Sequence, residues 1–180
     1  VLDGIMIMRA YKSSEDRKVN GWGVPPVGFG RSGVHGYFYM RGAIQSMRGI
    51  VANDAEEAMY MARTKDQNGE SITSEHTYEL HFSPGQIPPA RYFWSLTVYD
   101  QDANLMLNDY DRYAISGNSE DLIYEDDGSL RILIGGEPPE GMVGNWLPAG
   151  ESFTRVTLRV YGPEKAMLER TWKPPQLKRL

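Results

Sequence analysis

Chemistry on this chain concentrates at a few hydroxyl, aromatic and arginine positions. Ser95, Thr97 and Tyr99 recur at every second residue in Phe93-Trp94-Ser95-Leu96-Thr97-Val98-Tyr99-Asp100, and Arg159 and Tyr161 do so in Leu158-Arg159-Val160-Tyr161. In an extended strand a period of two puts each set on one face. There, rings can stack on a ligand while Arg159 clamps a carboxylate or a pair of hydroxyls, as a site for a small polar molecule or a glycan requires. The competing reading is an ordinary solvated sheet face, since half-polar strands are the rule in antiparallel sheets. Arg112-Tyr113 and Asn145-Trp146 stand at loop edges, where ligand contacts are frequent. They read equally as anchors, the Asn bonding backbone and the Trp plugging the end of the core.

Other chemistries are less well served. Asp100-Gln101-Asp102-Ala103-Asn104 imitates the start of a calcium loop, with Asp100, Asp102 and Asn104 as candidate ligands. It lacks the sixth-position glycine, where Leu105 stands, and the closing bidentate Glu, so an acidic turn is the preferred reading. His76 and His81, five apart, fall on opposite faces of one expected strand, and His35 lies in a glycine-rich loop, so spacing supports no metal site. There is no Gly-x-Ser-x-Gly elbow, and Gly28-x-Gly30 is too short for a dinucleotide fingerprint. Acid–base carboxylates are candidates at Glu56, Glu57, Glu79 and Asp100, Glu79 standing out because it falls mid-strand.

The elements that must position these residues are mostly strands. Alternation and turn residues predict strands over 58–64, 77–82, 92–100, 112–116, 122–125, 130–134 and 155–161. Asn68-Gly69 suits a tight hairpin between the first two, and Asp126-Asp127-Gly128-Ser129 a second hairpin over 122–134. Trp94, Leu96 and Val98, with Val156, Leu158 and Val160, should line the core. One amphipathic helix is expected over Tyr37–Val51, with Met40, Ala43, Ile44 and Met47 at helical spacing. Residues 2–12 read as a short helix or strand. Residues 13–36, with six glycines and the Asn20-Gly21-Trp22 turn, read as a surface loop anchored by Trp22. The expected fold is mainly β: an antiparallel jelly-roll-like β-sandwich with one N-terminal amphipathic helix. An arm over 1–36 leads into a helix-plus-sandwich domain over 37–180, together forming one globular unit.

Composition bounds the partners. The chain has 180 residues, net charge −5 and no cysteine, which excludes disulfides, thiolate metal sites and a Cys nucleophile. Eleven acids against three arginines between Arg91 and Gly150 argue against a phosphate-backbone partner. The basic residues Lys165, Arg170, Lys173, Lys178 and Arg179 read as a solvated tail. No 18-residue apolar run is present to span a membrane and no leader pattern is visible, which leaves the compartment open between cytoplasm and export. The chain opens on Val1, consistent with the loss of an upstream segment.

Asn20-Gly21-Trp22, the Tyr39–Ala43 stretch, Glu56–Tyr60 and the blocks from Tyr78 to Arg179, including Asn145-Trp146-Leu147-Pro148 and Trp172-Lys173-Pro174-Pro175, resemble one bacterial family, the domain of unknown function 1214. The resemblance implies a β-sandwich preceded by a helix. In longer members it implies a C-terminal position behind a second uncharacterised domain, 1254. It carries no activity and no catalytic residues.

The expected function is therefore a non-catalytic binding or assembly module for a small polar ligand, a glycan or a partner domain. The alternatives are a hydrolase or lyase working through a carboxylate-based acid/base pair in the sandwich cleft, and a purely structural domain that forms oligomers.

Overall fold

The structure, a computed structural model, describes residues 2, 3, 5, 6, 9, 17–25, 30, 38, 41, 42 and 53–180. Among the described residues ten strands make two sheets. β1 (Lys18–Val19), β2 (Trp22–Gly23), β3 (Ala58–Arg63), β5 (Ala90–Asp100), β6 (Ala114–Ser116) and β9 (Phe153–Pro163) form a six-stranded sheet in the order β1-β2-β3-β9-β5-β6. β4 (Tyr78–Phe82), β7 (Leu130–Ile134), β8 (Trp146–Leu147) and β10 (Leu177–Arg179) form a second in the order β10-β4-β7-β8. All pairs are antiparallel except β7 and β8, which run parallel. A one-turn helix α1 (Lys165–Leu168) follows β9.

Alternation decides which face of each long strand goes inside. In β5 and β9 the register sets Trp94 against Val160, Leu96 against Leu158 and Val98 against Val156, and all six are buried. In the second sheet Tyr78 opposes Ile134, Leu80 opposes Ile132 and Phe82 opposes Leu130, again all buried. The two inner faces share one hydrophobic cluster. Rings cross between the sheets: Phe82 meets Trp94 at 5.9 Å and Tyr78 meets Phe153 at 6.0 Å. Each such side chain contributes roughly 1.5–3 kcal/mol by burial, which pins the register, because a one-residue slip would turn every one of them outward.

The expected core strands are present, but two hairpins are not. The Asn68-Gly69 turn forms, with Gly69 at φ +85° and its N–H bonded to the Asp66 carbonyl at 3.2 Å. It closes only one bridge, Lys65 to Ser71, after which the chain crosses to the other sheet, so β3 and β4 never pair. The expected strand over 122–125 does not form, because Ile123 gives its N–H and carbonyl to the side-chain amide of Asn145 instead of to a ladder. The helix expected over Tyr37–Val51 lies outside the described residues apart from Phe38, Arg41 and Gly42, and residues 2–12 are only partly described.

The Asn20-Gly21 turn does form a two-residue hairpin, with φ +50° and +83° at its central residues, as the right-handed twist of the flanking strands demands. It places Trp22, fully buried, so that its indole N–H bonds the Pro175 carbonyl at 2.8 Å. Asn20 Nδ2 bonds the Pro174 carbonyl at 2.8 Å. Arg63, at the end of β3, donates to the carbonyls of Asn20, Lys65 and Asp66 and to the Gln176 side chain. Burial pulls its guanidinium below its ordinary pKa, the nearby Asp66 carboxylate opposing the shift. The beginning and end of the described domain are thus clasped across one arginine.

Candidate functional site

The outer face of the six-stranded sheet gathers the alternating polar residues of three strands. The register puts Ser95 and Tyr60 on either side of Arg159, Thr97 opposite Thr157, and Phe93 and Ala58 opposite Tyr161. Arg159 is half-buried and forked: Nη1 donates to Thr97 Oγ1 at 2.9 Å and Nη2 donates to the Tyr99 hydroxyl. Its guanidinium lies 5.4 Å from the Tyr99 ring centroid and 6.0 Å from that of Tyr60. Phe93 and Tyr161 stack at 4.5 Å, and Tyr60 meets Tyr161 edge-on at 6.4 Å. Arg159 makes no ion pair with an acid among the described residues, and its Nε–H and second Nη protons are not spent on this network.

The strand pattern explains why Arg159 can sit here. Its planar head lies near the Tyr60 and Tyr99 rings, in cation–π contact, and donates to two hydroxyl acceptors. Tyr60 accepts a hydrogen bond from Asn53 Nδ2 at 3.1 Å. Burial pushes its phenol above the ordinary pKa, and Tyr161 adds to that shift, while Asn53 and Arg159 oppose it. Tyr60 is therefore protonated at neutral pH. The face thus offers a charged donor fork, phenol and hydroxyl groups, and ring faces within one strand-to-strand neighbourhood. It can orient an anionic or polyhydroxyl group.

Of the residues singled out in the sequence, Ser95, Thr97, Tyr99, Arg159 and Tyr161 meet on this face. Arg112, Tyr113, Asn145 and Trp146 lie elsewhere, at one end of the two sheets. Asn145, fully buried, accepts from the Ile123 N–H at 2.8 Å and donates to the carbonyls of Ile123 at 2.6 Å and Arg131 at 2.9 Å. Arg112 donates to the Trp146 carbonyl at 2.7 Å, to Asp121 Oδ2 at 2.9 Å and to the Gly144 carbonyl. Trp146 is buried with its indole N–H on the Gly135 carbonyl at 3.0 Å. Lost hydration, then the nearby Asp111 carboxylate, holds the Tyr113 phenol above the ordinary value. Arg112, Asn145 and Trp146 are committed to holding loops.

The Asp100 turn is likewise committed. Asp100 Oδ1 accepts from the amides of Asn104 at 2.8 Å and Asp102 at 2.9 Å, and the Asn104 bonds lead in holding its carboxyl below the ordinary range. Ala103 takes a left-handed φ of +69° to close it. His76 precedes β4 instead of sharing it with His81, its ring packing edge-on against Tyr78 at 6.4 Å, and His35 lies outside the described residues. Glu56 and Glu57 are exposed in the turn before β3. Glu79 lies on the outer face of the second sheet, 3.8 Å from Lys178 Nζ, in an open groove of about 590 Å³ shared with His81, Asp127 and a 2.6 Å Arg131–Glu125 ion pair.

Sequence reasoning missed Tyr60 and left Phe93 out of the site. The alternation of β3, Met59 and Met61 in against Tyr60 out, carried the signal for Tyr60, but its pairing with Arg159 depends on the placement of β3 beside β9. Arg63, the hub of the clasp, carries no local signal.

Fold and site together define a two-sheet β domain with an arginine held among hydroxyls and rings on one outer face. The chain belongs to the family described as Protein of unknown function (DUF1214), whose model matches residues 57–165. The Asn20–Trp22 and Trp172–Pro175 blocks fall outside that range, yet they pack on one another. The fold is similar to that of the VPA0106 protein from Vibrio parahaemolyticus, with a TM-score of 0.64 and 23% identity over 79% of this chain. A protein from Burkholderia cenocepacia aligns at a TM-score of 0.43 and 17% identity, over 71% of this chain and 30% of its own. The chain spans 35% of the Vibrio protein's length. No curated protein matches.

Proposed function

We propose that the outer face of β3, β9 and β5 is a recognition site for a small polar ligand bearing a carboxylate or a pair of hydroxyls, in a domain that binds and does no chemistry. The observation that carries this reading is Arg159: a half-buried guanidinium oriented by Thr97 and Tyr99, flanked by rings, and without an acidic partner among the described residues. A cation taken partly out of water is normally paired, and an oxyanion on its remaining donors supplies that pairing. Ser95, Tyr60 and Tyr161 supply further hydroxyls around it, while Arg112, Asn145 and Trp146 hold the neighbouring loops. A jelly-roll-like sandwich belongs to the same proposal, supported by the cross-sheet pairs Phe82–Trp94 and Tyr78–Phe153. So does an upstream 1254-type domain, supported by the length of the Vibrio relative.

The test is a thermal-shift screen of carboxylic acids, sugar acids and neutral glycans against the wild type, Arg159→Met and Tyr99→Phe. A true ligand at a hundred times its Kd adds about 2.7 kcal/mol, or roughly 5–10 °C for a chain of this size. That shift should vanish in Arg159→Met, while the unliganded variant melts within a few degrees of the wild type. Equal shifts in wild type and variant, or none in the wild type across all three classes, would remove the proposal.

A further inference from the structure

Arg112 and Asn145 lock three loops to one another at one end of the sheets, and several of the side chains those loops turn outward are large and apolar. Leu107 is 89% exposed, Tyr110 52%, Val143 46%, and Ile123 and Tyr124 44% each. The loops that carry them are tied to the same network. Tyr110 packs edge-on against Trp146 at 4.9 Å, Ile123 is held through its backbone by Asn145, and Val143 adjoins Gly144, whose carbonyl takes Arg112. Asn108, next to Leu107, accepts from the Arg112 N–H at 3.1 Å and donates to its carbonyl at 3.1 Å. Single exposed apolar residues need no explanation, but several large ones on loops tied to one network mark an interaction surface. Loops already tied in this way lose less entropy when such a surface is covered.

Charge selects the partner. Along these loops stand the exposed acids Asp109, Asp111, Glu120 and Glu140, besides Asp121 and Glu125, which pair with Arg112 and Arg131. Arg112 is spent on Asp121 and two carbonyls. Such a rim repels an anionic lipid surface and repels a second copy of the same end, while it attracts lysine and arginine. We infer that this loop end is a docking surface for a polypeptide segment that presents large apolar side chains flanked by basic residues. The apolar side chains cover Leu107, Tyr110, Ile123 and Val143, and the basic flanks meet the acidic rim. This surface is independent of the Arg159 site and stands whether or not that site binds a ligand.

The test is selection of random twelve-residue peptides displayed on phage against the whole chain, with counter-selection on the triple variant Leu107→Ser/Ile123→Ser/Val143→Ser. All three positions are exposed, and matched melting curves verify that the variant folds. Enriched peptides should combine aromatic or aliphatic residues with Lys or Arg. Synthesised, they should bind the variant at least about tenfold more weakly than the wild type, as loss of a central apolar contact set predicts. They should also weaken as salt is raised from 0.1 to 0.5 M. Failure to enrich over the variant, enrichment of acidic or uncharged peptides, or equal affinity for both proteins would overturn the inference. Sedimentation velocity supplies the other decisive outcome, because dimerisation of the wild type that the triple variant abolishes assigns the surface to a second copy instead.

Discussion

Asn145→Ala should unfold this domain well before it affects any ligand. Three hydrogen bonds of 2.6–2.9 Å run from the Asn145 amide to the backbone of Ile123 and Arg131, and the side chain has no exposed surface. Each contributes on the order of 1 kcal/mol net, and the backbone groups left behind are partly shielded from water, so the loss is about 3 kcal/mol. That corresponds to a melting temperature lower by roughly 6–12 °C and a lower urea midpoint at unchanged m-value. Asn145→Asp sharpens the test. It keeps the acceptor for the Ile123 N–H but turns a second carboxylate oxygen toward two carbonyls, so at pH 7 it should be worse than alanine. Burial raises that carboxyl's folded pKa above its unfolded value of about 3.9, so the destabilisation must shrink as the pH falls and the protonated acid regains a donor. Urea titrations at pH 7 and pH 4.5 read both effects. If Asn145→Ala unfolds at the wild-type midpoint, or Asn145→Asp is insensitive to pH, Asn145 is not a strut for these loops and belongs back among the ligand-binding candidates.

Other parts of the molecule make equally direct demands. Arg63→Met keeps the stem but removes four donors of the clasp, with an expected loss of about 2–4 kcal/mol by urea denaturation and faster amide exchange around Trp22 and Gln176. Gly144→Ala sets a Cβ 1.7 Å from the Asp121 carbonyl oxygen, a backbone clash beyond the roughly 1–3 kcal/mol of ordinary overpacking, and should disorder the loop end in NMR spectra. Asp100 and Asp127 are both held below their ordinary value of 3.8, chiefly by amide donors of Asn104 and Ser129 respectively. Their contribution is complete above that value and fades as the pH falls through the lower folded values. Carboxyl titration by NMR should accordingly place both below the ordinary aspartate value of 3.8.

The inward faces of β4, β5, β7 and β9 were legible because strands half-buried in a shared core alternate strictly, and each runs for five residues or more. Alternation also placed Ser95, Thr97, Tyr99, Arg159 and Tyr161 on faces. That those faces coincide follows from the pairing of β5 with β9, which the chain reaches only after a long excursion and which no local pattern encodes. The two false hairpins share a cause. Asn68-Gly69 and Asp126–Ser129 do make turns, but a turn specifies two residues of conformation, not which sheet receives the next strand. β8 and β10, two and three residues long, were invisible because they are strands only by virtue of their neighbours. Asn145 was read with both of its possible roles open, and three backbone partners distinguish the anchor from the ligand contact.

The clasp between the Asn20–Trp22 hairpin and Pro174–Gln176 also dictates an order of events during synthesis. Trp22 and its carbonyl partner are 153 residues apart, so at about 5–20 residues per second the indole waits some 8–30 s for Pro175 to be made. A lone two-strand hairpin is marginal in water, and β3 in turn waits for β9. β1 and β2, translated before the rest of these sheets, are therefore among the last to be secured. An arrest or truncation ahead of residue 172 releases a chain with most of these core residues present and Trp22 still exposed to chaperones, proteases and other nascent chains.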